Sequence, residues 1–369
     1  MIDVKWLETL EDSVGIYLNN LNINNYEYMP ALQNLTSNGE NLKLGFSCFS
    51  LKINYILGTW DKLQDTEKKQ WINYINSFQS INKKFPEHSY LDEILIKNYN
   101  TKKIKTFFID SVKTTMNLLP QYKFEKNQIK LLKAVNAETK QAISTLYQVG
   151  ERNQKKVGNI FQTDLTVDDY LNKFDWSRPW NAGAQFSSLC VYSTTQGYEI
   201  KEDLISFANM MVDKETGSYF SKLPQDSREI INGAMKVITG LDWINEQIHY
   251  PEKLIDYCIS NKPILEGCDV VDYVYVLFMC SQQTNYRKKE INIILIDQLI
   301  ELKKLYVEKE GGFSYFLNKS QTHYYGVEII KSKNQADLHG TMLSIWAISM
   351  IIKNLEVESI NFQWNMLKP

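Results

Sequence analysis

The chain has no run of basic residues long enough to follow a phosphate backbone, and its 41 Lys and Arg against 43 Asp and Glu leave a formal charge of −2. Nucleic acids and anionic membrane surfaces recruit proteins through concentrated positive charge, so this balance argues against both as partners. A C-x-x-C pair is missing as well. Cys48, Cys190, Cys258, Cys268 and Cys280 are odd in number and scattered, which excludes a disulfide framework and suits reduced thiols in a cytoplasmic protein. No apolar stretch approaches the roughly 20 residues that cross a bilayer. The most apolar one, Val270 to Cys280, is interrupted by Asp272, so no transmembrane segment is expected. The opening MIDVKWLETLEDSVG lacks the basic stretch and apolar core of a secretory leader. No linker divides the 369 residues, so a single domain over 1–369 is expected.

What the sequence does hold is a large reserve of core-forming residues: 44% are hydrophobic and 23% charged. The chain can therefore bury a sizeable interior. Its organisation is a recurring module of a polar turn, an apolar helix, a loop and a more amphipathic helix. Four apolar helices are predicted after residue 180, at NAGAQFSSLCVYS from Asn181, NGAMKVITGLDWI from Asn232, CDVVDYVYVLFMC from Cys268 and DLHGTMLSIWAISMI from Asp337. Being apolar on more than one face, they read as inner helices. EDLISFANMMV, PEKLIDYCI and KKEINIILIDQLIELKKLYV carry apolar residues every three to four positions and read as outer helices. Upstream, LGFSCFSLKINYILG (44–58) and NAETKQAISTLYQVG (136–150) add two inner candidates. TEKKQWINYINSFQ, TVDDYLNKF and TKKIKTFFIDSVKTTMNLL add outer ones. The fold expected is all-α, an (α/α)6-type toroid or barrel of about six helix pairs around a central cavity. Residues 1–43 form an N-terminal segment, 44–150 the fainter repeats and 166–353 the clearer ones.

Two glycine-aromatic turns, Gly217-Ser218-Tyr219-Phe220 and Gly311-Gly312-Phe313-Ser314-Tyr315-Phe316, punctuate the repeats. With DLHGTMLSIWAISMI and CDVVDYVYVLF they make residues 180–353 resemble the α/α-toroid proteins that include squalene-type terpene cyclases and protein prenyltransferase β subunits. The resemblance implies a site at the N-terminal ends of the inner helices. Asp269-Val270-Val271-Asp272 is similar to the cyclase acid motif, with Val271 where the family's central proton donor stands. The transferase comparison implies zinc held by Cys268, Asp269 and His339, although His339 stands one residue from the family register. Zinc or magnesium is thus the cofactor the resemblance allows. The Asp168-Asp169 pair that suggests a magnesium-diphosphate motif lacks a third carboxylate and reads as a helix cap.

Polar residues gather at the predicted inner-helix starts whatever the family. Asp269, Asp272, Asp337, His339 and Glu138 are the candidate catalytic acids and bases. Asp269 and Asp272, three apart, would share one helix face, where unpaired carboxylates are costly unless solvated, paired or used. Capping explains Asp337 and Asn232 equally well, and a salt bridge to Lys236 or Lys140 would account for the aspartate pair. Trp176, Arg178 and Trp180 in DWSRPWNAG, with Asn181, Gln185, Asn232, Lys236, Tyr273, Phe313, Tyr315 and Trp346, are the candidate substrate-binding residues. They suit an isoprenoid or a sugar. The first function expected is a terpene-cyclase-like or prenyl-transfer-like enzyme. A carbohydrate-active enzyme (glycoside hydrolase, lyase or epimerase) using paired carboxylates is the alternative, and a non-catalytic binding toroid the third.

Overall fold

The computed structural model describes residues 3–100, 127–158, 160–161, 165–224, 226–331, 333–356 and 364–369. Fourteen α-helices are found among them, with four two-stranded hairpins added to the helical plan. In chain order they are α1 Val4–Leu21, α2 Ser37–Asn41, α3 Leu44–Ile56, α4 Asp65–Asn76, α5 Glu93–Asn100, α6 Asn127–Gln148 and α7 Val167–Leu171. There follow α8 Pro179–Gln196, α9 Lys201–Met211, α10 Ser227–Trp243, α11 Pro251–Ser260, α12 Gly267–Ser281, α13 Lys288–Lys303 and α14 Leu338–Leu355.

The six apolar helices expected inside are α3, α6, α8, α10, α12 and α14. Each packs on the next in that order, and α14 packs back on α3. This circular order is consistent with a helical toroid, and it explains the composition: a helix with neighbours on both flanks and an interior behind it has little room for charge. Val270–Leu277 in α12 is buried without a break, as is Gly340–Ile351 in α14. The amphipathic helices lie outside, α4 on α3, α9 on α8, α11 on α12 and α13 on α14. The outer helix expected at 101–119 lies outside the described residues.

Several ends differ from expectation. Helix α6 is already formed at Asn127, the first described residue there, and α10 begins at Ser227, so Glu138 and Asn232 sit inside their helices and not at the starts. Asp226 provides the actual α10 cap through Arg228 N, at 3.0 Å. The 288–307 helix stops at Lys303, and Tyr306–Val307 instead pairs with Gly312–Phe313 around Gly311, whose φ is +80°. Thr166 and Asp169 form a capping box on α7, as the reading of that acidic pair expected.

Helices α8 and α10 approach most closely, through glycine. A Cβ on Gly233 would lie 2.5 Å from Pro179 Cβ, and one on Gly240 would lie 2.8 Å from Phe186. Gly233→Ala should therefore destabilise the protein by about 1–3 kcal/mol, because overpacking outweighs the ~1 kcal/mol that alanine gains in helix propensity. A urea midpoint equal to or above the parent's would contradict this close packing.

Candidate functional site

A hairpin carries the first element of the interior site. Its strands, His323–Tyr324 and Val327–Glu328, are joined by Tyr325 and Gly326 with φ of +44° and +78°, the left-handed pair that a two-residue turn demands. Gly326 adopts it freely, whereas Tyr325 is strained by roughly 1–3 kcal/mol. The turn is held from α5: Tyr99 Oη donates to Tyr325 O at 2.9 Å and Asn98 Nδ2 to Gly326 O at 3.3 Å. The result is that Tyr324 is fully enclosed against Phe46 and Phe49 of α3 and its hydroxyl donates to Glu138 Oε1 of α6. Burial drives the Glu138 carboxyl up to about 8, against the lowering effect of the tyrosine hydrogen bond. Glu138 Oε2 has no hydrogen-bond partner among the described residues.

Three lysines from three inner helices reach the same interior. Lys52 of α3 touches Ser144 Oγ of α6 at 3.3 Å, and burial lowers its ammonium to about 8. Lys236 of α10 faces Asp272 of α12 at 3.6 Å. Burial raises Asp272 to about 6, while Lys236 pulls it down. Lys140 of α6 has neither a hydrogen bond nor an ion pair among the described residues. Its ammonium is pushed well below the usual lysine range, first by desolvation and then by Lys236 and Lys52. His339, in the first turn of α14, stacks on Phe49 with ring centroids 4.5 Å apart and meets Gln321 Oε1 through Nδ1 at 2.9 Å. Desolvation, then Lys236 and Lys52, hold its imidazole at about 3, hence neutral. Tyr315 lies 5.4 Å from the His339 ring, and the thiol of Cys268, enclosed beside Asp272 and Lys236, is driven up to about 12. Lys140, Lys236, Cys268 and His339 are surrounded by protein yet keep part of their surface accessible.

The structure divides the residues expected from sequence into two groups. Glu138, Asp272, His339, Lys236, Cys268 and Tyr315 come together in this interior. The others make contacts elsewhere or are exposed. Asp337 is the α14 cap, accepting from Gly340 N at 2.8 Å through one oxygen and from Tyr315 N and Gln321 N at 2.8 and 3.0 Å through the other. Three backbone donors hold this catalytic candidate in place, and these are the contacts of a helix cap and loop anchor. Asp337→Ala should cost about 2–4 kcal/mol by removing a charged cap and two loop tethers. A variant as stable as the parent, but without its activity, would support the catalytic assignment.

Asp269 accepts from Asn232 Nδ2 at 2.8 Å and faces Arg228 at 3.6 Å, in a crevice between α10 and α12. The salt bridge anticipated to Lys236 is thus present at Asp272, whereas Asp269 pairs with Arg228, which was not anticipated. Trp176 is buried on Phe207 and donates to Leu171 O at 3.0 Å, Phe313 packs on Trp6 and Tyr306, Trp346 packs on Tyr275, and Tyr273 donates to Cys258 O at 2.9 Å. Each is buried against a neighbouring element. Gln185 accepts from Asn136 at 3.3 Å, Trp180 is half-buried with its backbone N donating to Glu229, and Arg178 and Asn181 are exposed.

The zinc set does not assemble: no group of three His, Cys, Asp or Glu side chains able to hold a metal occurs among the described residues. His339 faces lysines, whose charge opposes a bound cation. Sequence reading missed Lys52, Tyr324 and Tyr325. The one signal for Lys52 was a lysine alone in the apolar LGFSCFSLKINYI, and for the tyrosines a Tyr-Tyr-Gly turn.

No protein-family model matches the chain, and no curated protein matches it. Among solved structures, that of a polysaccharide lyase aligns with 97% of this chain and 99% of its own at 12% identity and a TM-score of 0.43. No helix among the described residues is long and apolar enough to cross a membrane.

Proposed function

We propose that this protein is a carbohydrate-active enzyme that acts on an acidic, uronate-bearing polysaccharide inside a single (α/α)6 toroid. The observation that carries the reading is the convergence of Lys52, Lys140 and Lys236 where, among the described residues, only Asp272 forms an ion pair with them. Uncompensated buried ammonium groups are costly, and a substrate carboxylate is the partner that offsets the cost. The hydrocarbon chain of an isoprenoid offers the interior nothing of this kind; a prenyl diphosphate would bring an anionic group as well, and the test below separates the two classes.

The chemistry that fits is β-elimination. A base removes the proton on the carbon beside the uronate carboxylate. The electron pair forms a carbon–carbon double bond, the glycosidic C–O bond breaks, and an acid protonates the departing oxygen. Lysine charge on the carboxylate makes that proton more acidic. His339 is the neutral base; it strengthens when a bound carboxylate cancels the lysine charge that depresses it. Tyr324, hydrogen-bonded to a largely protonated Glu138, is the acid.

The test is a panel of uronate polysaccharides beside neutral polymers and isoprenyl diphosphates. Growth of the ultraviolet absorbance of an unsaturated uronyl product on an acidic polymer supports elimination. New reducing ends without that absorbance mean hydrolysis and overturn the elimination chemistry. Turnover of only neutral or isoprenoid substrates overturns the reading itself.

A further inference from the structure

Residues 365–369 meet three of the inner helices at their C-terminal ends. At the C-terminal end of the ring, Asn365 N donates to Ile56 O and Asn365 Nδ2 to Tyr55 O, both at 2.8 Å, on α3. Three residues on, Lys368 N donates to Gln148 Oε1 at 3.0 Å while Gln148 Nε2 donates to Lys368 O at 2.7 Å, on α6. Lys368 Nζ then reaches Asp242 O at 2.8 Å and sits 5.2 Å from the Trp243 ring, whose Nε1 donates to Pro369 O at 2.6 Å, on α10. Leu367 between them is buried.

Helices α3 and α10 stand first and fourth in the ring of six, so they face each other across its axis. Helices packed 8–10 Å apart in such a ring place opposite axes ~16–20 Å apart. The four residue steps from Asn365 to Pro369 reach at most ~14 Å. That suffices to pass from the inner surface of one helix to that of the other. Lys52 and Ser144 lie one helical turn above Ile56 and Gln148, so the segment is anchored one turn from the Lys52–Ser144 contact.

We infer that residues 364–369 form a strut across the floor of the ring, which makes the interior a one-ended pocket opening only at the N-terminal ends of the inner helices. The strut bonds to backbone and side chains of three helices and ties the two halves of the ring together. Where it rests on the polysaccharide reading, its consequence is that a polymer cannot thread through the axis; substrate enters and product leaves by the same mouth.

The experiment needs no substrate. In the first arm, Gln148→Cys with Lys368→Cys is oxidised in the full-length chain. A disulfide that forms and raises the unfolding temperature by several degrees is expected; failure to crosslink overturns the strut. In the second, Lys368→Ala with Leu367→Glu releases the segment by placing an unpaired carboxylate where a leucine is buried. Acetic anhydride labelling of Lys52, read by mass spectrometry, should then rise at least about tenfold over the parent. Unchanged Lys52 labelling in the folded variant overturns the floor. If the released variant does not fold, the crosslink alone decides. Neither arm reads activity, so failure of the strut and failure of the polysaccharide reading are separate results.

Discussion

Tyr324→Phe and Glu138→Gln should each lower turnover on a uronate polymer by ~10²–10⁴-fold, the usual contribution of a positioned proton-transfer group. Phenylalanine keeps the ring that packs on Phe46 and Phe49 and removes only the hydroxyl. Glutamine keeps the hydrogen-bond acceptor for Tyr324 and removes only the titration. Stability separates this role from a structural one. The folded-state pKa of Glu138 is raised, so its contribution to stability is fully present below about pH 4.5 and is lost as pH rises through about 8. The parent should therefore lose stability between those values relative to Glu138→Gln, by about 1–3 kcal/mol after discounting for solvent and local relaxation. Urea midpoints that stay parallel from pH 4 to 8, together with full activity in both variants, would remove the pair from the mechanism.

The second large effect is on binding. Lys140→Met should weaken the affinity for an oligouronate by ~10–100-fold, a loss of one desolvated charge pair. Parent binding should also take up protons. Lys52, at about 8, is partly neutral in the free protein above neutral pH, Lys140 is held well below the usual lysine range by desolvation and its neighbouring lysines, and an incoming carboxylate favours the charged form of both. Calorimetry in buffers of different ionisation enthalpy reads the uptake directly, and Lys140→Met should reduce it. Lys236→Met should also cost affinity, because it removes the cation that faces Asp272. Binding with no proton uptake, or equal affinity in all three proteins, would contradict the lysine site.

Particular residues show how far sequence reading reaches. The inner helices could be read from residues alone because burial on several sides leaves a local mark: CDVVDYVYVLFMC has no solvent face, and α12 covers it almost residue for residue. The Asp337 boundary was legible because capping is local chemistry, acting over the three residues to Gly340. Glu138 was chosen from sequence for the wrong reason, as a helix-start residue. It belongs to the interior because Tyr324, 186 positions away, is brought to it by a hairpin.

The aromatic residues mark the limit from the other side. Trp176, Phe313 and Trp346 satisfy any compositional rule for a ligand platform, yet each faces a neighbouring element, since a ring of helices has far more interface than interior. Lys52 was hidden for the same reason: its helix reads as apolar core, and one lysine in it has no visible partner until α6 supplies Ser144.

The sequence by itself determined the helical modules, their inner and outer characters and several of their caps, because periodicity and capping act within a few residues. Only the tertiary structure decided which polar groups meet. That outcome depends on the circular packing of six helices and on a hairpin and a C-terminal segment that reach across it, and no local pattern records contacts between residues so far apart in the chain.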